Sequence, residues 1–156
     1  MGKPRLVLIQ DSREQAGLLD EFKKGVFDEI VTRGLPYGDY ACEIEGKAVP
    51  IVFERKGLGD LFGTLTSGSK RFRRVIQKAN KAGCQFVLLV EGTLRDVAGG
   101  YEHSSVAGDT IIKTVFSNWV RHGLTPVFCP DRRTMARVIE ETYTAVARNC
   151  KSPTSP

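Results

Sequence analysis

Ile51-Val52-Phe53-Glu54-Arg55-Lys56 is the stretch on which the reading of this sequence turns. Residues 49–56 read as a β-strand, with Pro50 near its start, where a missing N–H is tolerated. Successive side chains of a strand point to opposite faces. Glu54 and Lys56 therefore project together, and Arg55 projects the other way with Ile51 and Phe53. Residues 37–44 read as the preceding strand, and Gly46-Lys47 as a turn. If that turn makes a hairpin, Asp39 sits beside Glu54, and two carboxylates and one ammonium converge at one point.

Working outward, the pattern alternates between short apolar runs and amphipathic helices. Residues 6–9 (Leu, Val, Leu, Ile) suit a strand buried on both faces. Leu18, Leu19 and Phe22 mark a short helix ending near Gly25, and Ile30-Val31-Thr32 a further strand. After Gly57, Leu58, Leu61, Phe62 and Leu65 are spaced for one helix face. Ser67-Gly68-Ser69 interrupts that helix, and a basic helix follows over residues 70–82. Residues 86–90 form another buried strand. Gly99-Gly100 lies in a loop, and Asp109 reads as the N-cap of a helix carrying Ile111, Ile112, Val115, Phe116, Trp119 and Val120, with Gly123 past its end. A last strand covers residues 125–129. Asp131 caps a final helix with Met135, Val138, Ile139, Thr142 and Val146 on one face. The expected fold is α/β: a central mixed sheet sandwiched by helices. The expected organisation is one domain over residues 1–150 and a disordered tail over 151–156, with no internal repeat and no linker.

A site with two carboxylates and a lysine suits phosphodiester hydrolysis. Hard oxygen ligands hold Mg²⁺ or Mn²⁺. Such a metal polarises a phosphoryl oxygen and acidifies its water, and a neighbouring lysine positions that water or stabilises developing charge. An acid followed by Glu-x-Lys on a strand is the PD-(D/E)xK nuclease pattern. Spacing alone is weak, because these residues are common. A solvated hairpin face with a cross-strand ion pair has the same spacing and is the commoner case.

The longer motif changes that balance. Gly38-Asp39, then Glu54-Arg55-Lys56, then Asp60 resembles the signature of the XPF family of structure-specific endonucleases. Upstream, Asp11-Ser12-Arg13-Glu14 looks like that family's Asp-x-Arg-Glu. Downstream, the likeness continues through residues 60–65, Arg71-Phe72 and the strand ending Leu89-Val90-Glu91-Gly92. The motifs cover about the first two thirds of the chain in the family's order. The last third matches only in pattern.

The resemblance implies a restriction-endonuclease-like α/β/α sandwich and a divalent-metal DNA endonuclease acting on branched or flapped DNA, leaving a 5′-phosphate and a 3′-hydroxyl. It makes Asp11, Asp39 and Glu54 metal ligands or holders of the metal's waters, with Mg²⁺ or Mn²⁺ as cofactor. Lys56 becomes the catalytic lysine, and Arg13, Arg55 and Asp60 match positions needed for activity. Glu14 lies nearby. Arg55 points away from the metal by strand alternation, so it requires a carboxylate partner behind the site. Asp60 reads equally as a helix N-cap. The chain departs from the family where Ser69-Lys70 is inserted between Gly68 and Arg71, and where Arg73-Arg74 replace a polar pair. Many members also carry a helix-hairpin-helix region or a helicase; neither is contained in these 156 residues. A catalytically silent DNA-binding or scaffolding subunit, and a Holliday-junction-type or restriction-type nuclease, remain as alternatives.

Bulk properties agree with a nucleic-acid partner without requiring one. The net charge is +5 and the pI about 9.1, which suits a polyanion. Six cations and no acid lie in residues 70–81, among them Lys70, Arg71, Arg74 and Lys78 as DNA contacts. Arg71, Arg74 and Lys78 are spaced to share one face. His103 and His122 are isolated. Cys42, Cys84, Cys129 and Cys150 fit no CxxC motif and read as reduced thiols. No apolar stretch approaches the ~20 residues of a membrane span, and no signal peptide is evident, so an intracellular protein is expected. The apolar residues of the last two helices exceed what one-sided packing needs. Core is the default reading, and a homodimer through those C-terminal helices is the second, with Ile112, Phe116 and Trp119 on one and Met135, Ile139 and Val146 on the other.

Overall fold

The computed structural model describes residues 2–150. The tail expected to be disordered lies outside them. Strand β1 (Leu6–Asp11) pairs in parallel with β2 (Glu29–Arg33) on one side and antiparallel with β3 (Tyr40–Ile44) on the other. A tight turn at Glu45-Gly46 leads into β4 (Lys47–Ala48), which pairs only with β3. Strand β5 (Ile51–Gly57) then crosses beside β3, followed in parallel by β6 (Gln85–Glu91) and β7 (Thr125–Cys129). The sheet order is β2-β1-β3-β5-β6-β7, a mixed sheet as expected.

Five α-helices sandwich the sheet: α1 (Leu58–Leu65), α2 (Ser69–Lys81), α3 (Leu94–Ala98), α4 (Gly108–His122) and α5 (Arg132–Asn149). Helices α1 to α4 bury Leu61, Phe62, Phe72, Ile76, Val97, Ile111 and Val115 against Val52, Phe86, Leu88 and Val90. Helix α5 buries Met135, Ile139 and Tyr143 on the opposite face, against Phe53, Val87 and Leu89. The alternation Val52-Phe53 along β5 thus feeds two different cores, and Glu54 and Lys56 share the side of Val52, toward α1 and α2.

Several expectations need correction. The helix expected at Leu18 is only a 3-10 turn, Leu19–Glu21. Between Gly17 and Gly25 the segment is too short to repay helix nucleation, and it folds so that Leu18, Phe22 and Phe27 plug one core, with Phe22 edge-on to Phe27 and to Tyr40. The strand expected over 37–44 starts at Tyr40, and the one expected over 49–56 starts at Ile51. Helix α3 was not anticipated. It is a five-residue element held by a capping box, in which Thr93 and Asp96 bond each other's backbone. Asp109 is not the cap of α4: Ala107 is, without a side-chain bond. The helix starts early because Gly108 packs on the Val97 and Ala98 carbonyls of α3, where a Cβ would collide. Asp131 does cap α5, accepting the Thr134 N–H at 2.7 Å. Met135 and Ile139, for which core is the first reading and a dimer interface the second, are fully buried core residues. Among the described residues no helix is long and apolar enough to cross a membrane.

Candidate active site

The site grows from the end of β3. Gly38 takes φ 78°, and a Cβ there would lie 3.2 Å from the Phe53 carbonyl oxygen and 3.3 Å from Val52 Cβ. Only glycine allows this turn against β5. Asp39 then donates its N–H to Phe53 at 2.7 Å, and its Oδ2 accepts the Arg55 N–H at 2.8 Å. A side-chain oxygen takes over the ladder just past the Tyr40–Phe53 pair. Glu54 and Lys56 stand on β5 with Nζ 3.3 Å from Oε1. The convergence expected from the sequence is present, although β3 and β5 are joined through β4 rather than as one plain hairpin.

These residues open into a cleft of about 500 Å³ between the ends of the central strands and helices α1 and α2. Asp11, Arg13, Tyr37, Asp39, Glu54, Lys56, Thr64 and Arg71 line it. Its electrostatics are unbalanced. Burial, then the neighbouring Glu54 and Glu14 carboxylates, push the Asp39 carboxyl up to about 7. Burial also raises the Glu54 carboxyl, and Lys56 only partly offsets it. Two acids confined beside one lysine are short of positive charge.

Asp11 has different surroundings. Its Oδ1 accepts the Leu35 N–H at 2.8 Å and Arg13 Nη2 at 3.2 Å; its Oδ2 accepts Arg13 Nε at 2.9 Å and the Arg13 N–H at 3.3 Å. Burial works to raise this carboxyl, but the Arg13 and Leu35 donors outweigh it and hold it below the usual range. Both oxygens are engaged. Among the described residues, no three carboxylate, histidine or cysteine side chains gather closely enough to ligate one ion. The expected trio of Asp11, Asp39 and Glu54 is therefore not a closed ligand set. Asp11 instead fixes Arg13, whose Nη2 also reaches the Leu35 carbonyl at 2.8 Å, and so ties β1 to the loop before Gly38.

On the far face of the sheet, Arg55 has the carboxylate partner its position requires. Glu14 grips it with two bonds, Nη2 at 3.0 Å and Nε at 3.2 Å, and the Gln15 carbonyl adds a third. The side chains are 12% and 8% exposed. Asp60 is exposed in the first turn of α1, whose N-cap is Gly57, so Asp60 does not cap the helix. It lies one turn up from Gly63 and Thr64 and outside the cleft lining.

The basic residues divide. Phe72, Ile76 and Ala79 dock α2 on the sheet. That turns Arg71 into the cleft and sets Lys78 beside it, with Nζ 3.4 Å from the Pro36 carbonyl. Lys70 and Arg74 face the outer flank. The single face expected for Arg71, Arg74 and Lys78 is thus split by the helix's own docking. The Leu35 N–H, Tyr37 and Thr64 were not singled out from sequence; a backbone donor and neutral lining residues carry no motif.

Against known families, residues 10–142 match the family model described as "ERCC4 domain". The chain belongs to the ERCC4 domain family. No protein of curated function matches it in sequence. In structure, this ERCC4 domain is similar to XPF from Aeropyrum pernix, with a TM-score of 0.68 at 18% identity over 93% of this chain and 66% of that one. It is likewise similar to XPF from Aeropyrum pernix in complex with DNA, at 0.69 and 19% over 96% and 69%. The ERCC4 domain thus shares its fold with these two XPF structures and spans about two thirds of those chains.

Proposed function

We propose that this ERCC4 domain is a divalent-metal-dependent DNA endonuclease acting on branched or flapped DNA. One observation carries the reading: Asp39, Glu54 and Lys56 meet in an open cleft walled by Arg71, with both acids pushed upward by burial. Two adjacent carboxylates short of positive charge, beside water-accessible space, are a donor set that suits Mg²⁺ or Mn²⁺. Mg²⁺ in particular binds through one or two carboxylates and keeps its waters. Asp39 and Glu54 would hold it, and it would supply Lewis-acid polarisation and an acidified water.

The chain's own groups do the rest. Arg71, at the cleft wall, draws in a phosphate. Lys56 stabilises negative charge growing on the attacked phosphate. The Arg55 N–H fixes the rotamer of Asp39, while Arg55 and Glu14 lock β5 from behind. Arg13, held by Asp11, sits at the mouth as a second phosphate contact.

We further propose a homodimer, with its interface revised from the expected one. Trp119 is 52% and Val120 84% exposed, and Phe116 stacks on Phe128 of β7 and meets Trp119 with its ring tilted. An apolar patch at a sheet edge suits a second copy.

A gel assay on flap, fork, four-way junction and linear duplex, with Mg²⁺ or EDTA, tests the function. Preferred cutting of flap or fork supports it. Metal-independent cutting, or none at all, overturns it.

A further inference from the structure

Helix α2 is a ridge between two troughs. On one side lies the catalytic cleft, with Arg71 in its wall and Lys78 beside it, Nζ 3.4 Å from the Pro36 carbonyl. On the other, α2 and α4 enclose a groove of about 380 Å³, and Ser69, Arg73, Lys113, Thr114, Ser117 and Arg121 help to line it. It continues past Arg73 and His122 into a shallower recess of about 230 Å³ with Lys70, Arg74 and Gln77. No carboxylate lines the groove or the recess, and α2 holds none along its length. Among the described residues, none of these lysines and arginines forms an ion pair. Lys70, Arg74 and Lys78 follow one another four residues apart, and like charges at that spacing destabilise a helix. A bound polyanion offsets that cost.

Cations interleaved with serine and threonine hydroxyls, and no acid, are the chemistry of a phosphate backbone. Spacing then decides what kind. The cations of the two flanks stand one helix width apart, about 10–12 Å with side chains. The major groove of B-form DNA is about 12 Å wide and admits an α-helix, with a row of phosphates on either side. A single strand offers only one such row, and an A-form RNA duplex has a major groove too narrow to enter. Phe72, Ile76 and Ala79 dock α2 on the sheet, and its opposite half is exposed along the whole helix, which leaves it free to be the inserted element. We infer that α2 enters the major groove of B-form DNA and straddles it: the strand to be cut lies in the catalytic cleft, and its complement lies in the α2–α4 groove on Arg73, Lys113 and Arg121. The inference rests on the proposed DNA-cleaving reading.

The test measures affinity in EDTA by fluorescence anisotropy, over a salt series, for three labelled DNAs. They are a short blunt duplex, the same duplex with glucosylated hydroxymethyl groups on cytosine C5, which fill the major groove, and one of its single strands. The unmutated protein is compared with Lys113→Glu/Arg121→Glu, whose two changes are on α4 and outside the catalytic cleft; a thermal melt confirms folding. The unmutated protein should bind the glucosylated duplex about tenfold or more weakly than the plain one. The variant should lose about tenfold or more on the plain duplex, with a salt slope shallower by about 1–2, and keep its affinity for the single strand. Equal binding of the plain and glucosylated duplexes, no binding of the plain duplex, an unchanged duplex affinity in the variant, or an equal loss on duplex and single strand would each overturn the inference. A variant that fails to fold is replaced by Lys113→Gln/Arg121→Gln, read in the same way. Failure of the nuclease reading shows separately, as DNA left intact in Mg²⁺, and leaves the binding measurement standing.

Discussion

The carboxylate of Asp39 accepts the backbone N–H of Arg55 at 2.8 Å. Through that bond the acid at the end of one strand is held beside Glu54 and Lys56 on the next. The cost is electrostatic: the same placement puts Asp39 near Glu54 in partly desolvated surroundings and pushes it up to about 7.

That shift sets a pH dependence. The Asp39 carboxyl rises from 3.8 to about 7 on folding, through burial first and then Glu54. An acid whose folded pKa is raised favours the fold while protonated, and that contribution is lost as pH climbs through the window. Without metal, the melting temperature should fall between pH 4 and pH 7. Asp39→Asn, which can keep an acceptor for the Arg55 N–H, should flatten this fall. Mg²⁺ should raise the melting temperature more at pH 8 than at pH 5. Scanning calorimetry across pH checks it; a metal effect equal at both values counts against metal binding at Asp39. Asp11 works with the opposite sign: its lowered carboxyl favours the fold at neutral pH and ceases to as pH drops below the carboxylate range.

The role proposed for Lys56 is to act on charge, not shape. Lys56→Ala should slow single-turnover cleavage by about 100-fold or more, the scale of one transition-state electrostatic group. Lys56→Arg should fail as well, because a guanidinium fork is not a compact ammonium. Normal cutting by the arginine protein would reduce Lys56 to an ion-pair partner of Glu54.

Behind the site, Arg55 and Glu14 form a buried two-bond pair. Removing one partner strands the other, so Arg55→Ala should cost about 3–5 kcal/mol of stability. Replacing both with apolar residues of similar size should recover most of it. Urea unfolding of the single and double variants measures this. A single-variant loss under about 1 kcal/mol would place the pair with weak surface bridges.

The strands and long helices were legible because period-2 and period-3.6 patterns are local. What escaped depends on distant contacts. Two glycine-bounded turns around Leu18 cannot reveal that Tyr40 waits 22 residues away to accept Phe22 and to bond the Leu18 N–H. Asp109 has the chemistry of a cap, and only the approach of α3 moves the helix start to Gly108. In the site, Glu54, Lys56 and the reversed Arg55 were readable from strand alternation, and a partner for Arg55 from the cost of burying it. That Asp11 would be engaged by Arg13 and Leu35, and that α2 would split its cations between two flanks, required the packing itself.

For the dimer, Trp119→Glu with Val120→Glu should give a folded monomer, since both side chains are exposed. Light scattering at tens of micromolar reads it. An unmutated protein that is already monomeric there removes the proposal.

Asp39 and Glu54 are proposed to form a metal-dependent site for phosphodiester cleavage. Its most direct test is single-turnover cutting of a labelled flap DNA in Mg²⁺ by the unmutated and Glu54→Gln proteins, with DNA binding measured in EDTA. Mg²⁺-dependent cutting by the first, a loss of about 100-fold or more in the second, and matching affinities are expected. Equal cutting by both proteins, or DNA left intact by the unmutated one, would contradict it.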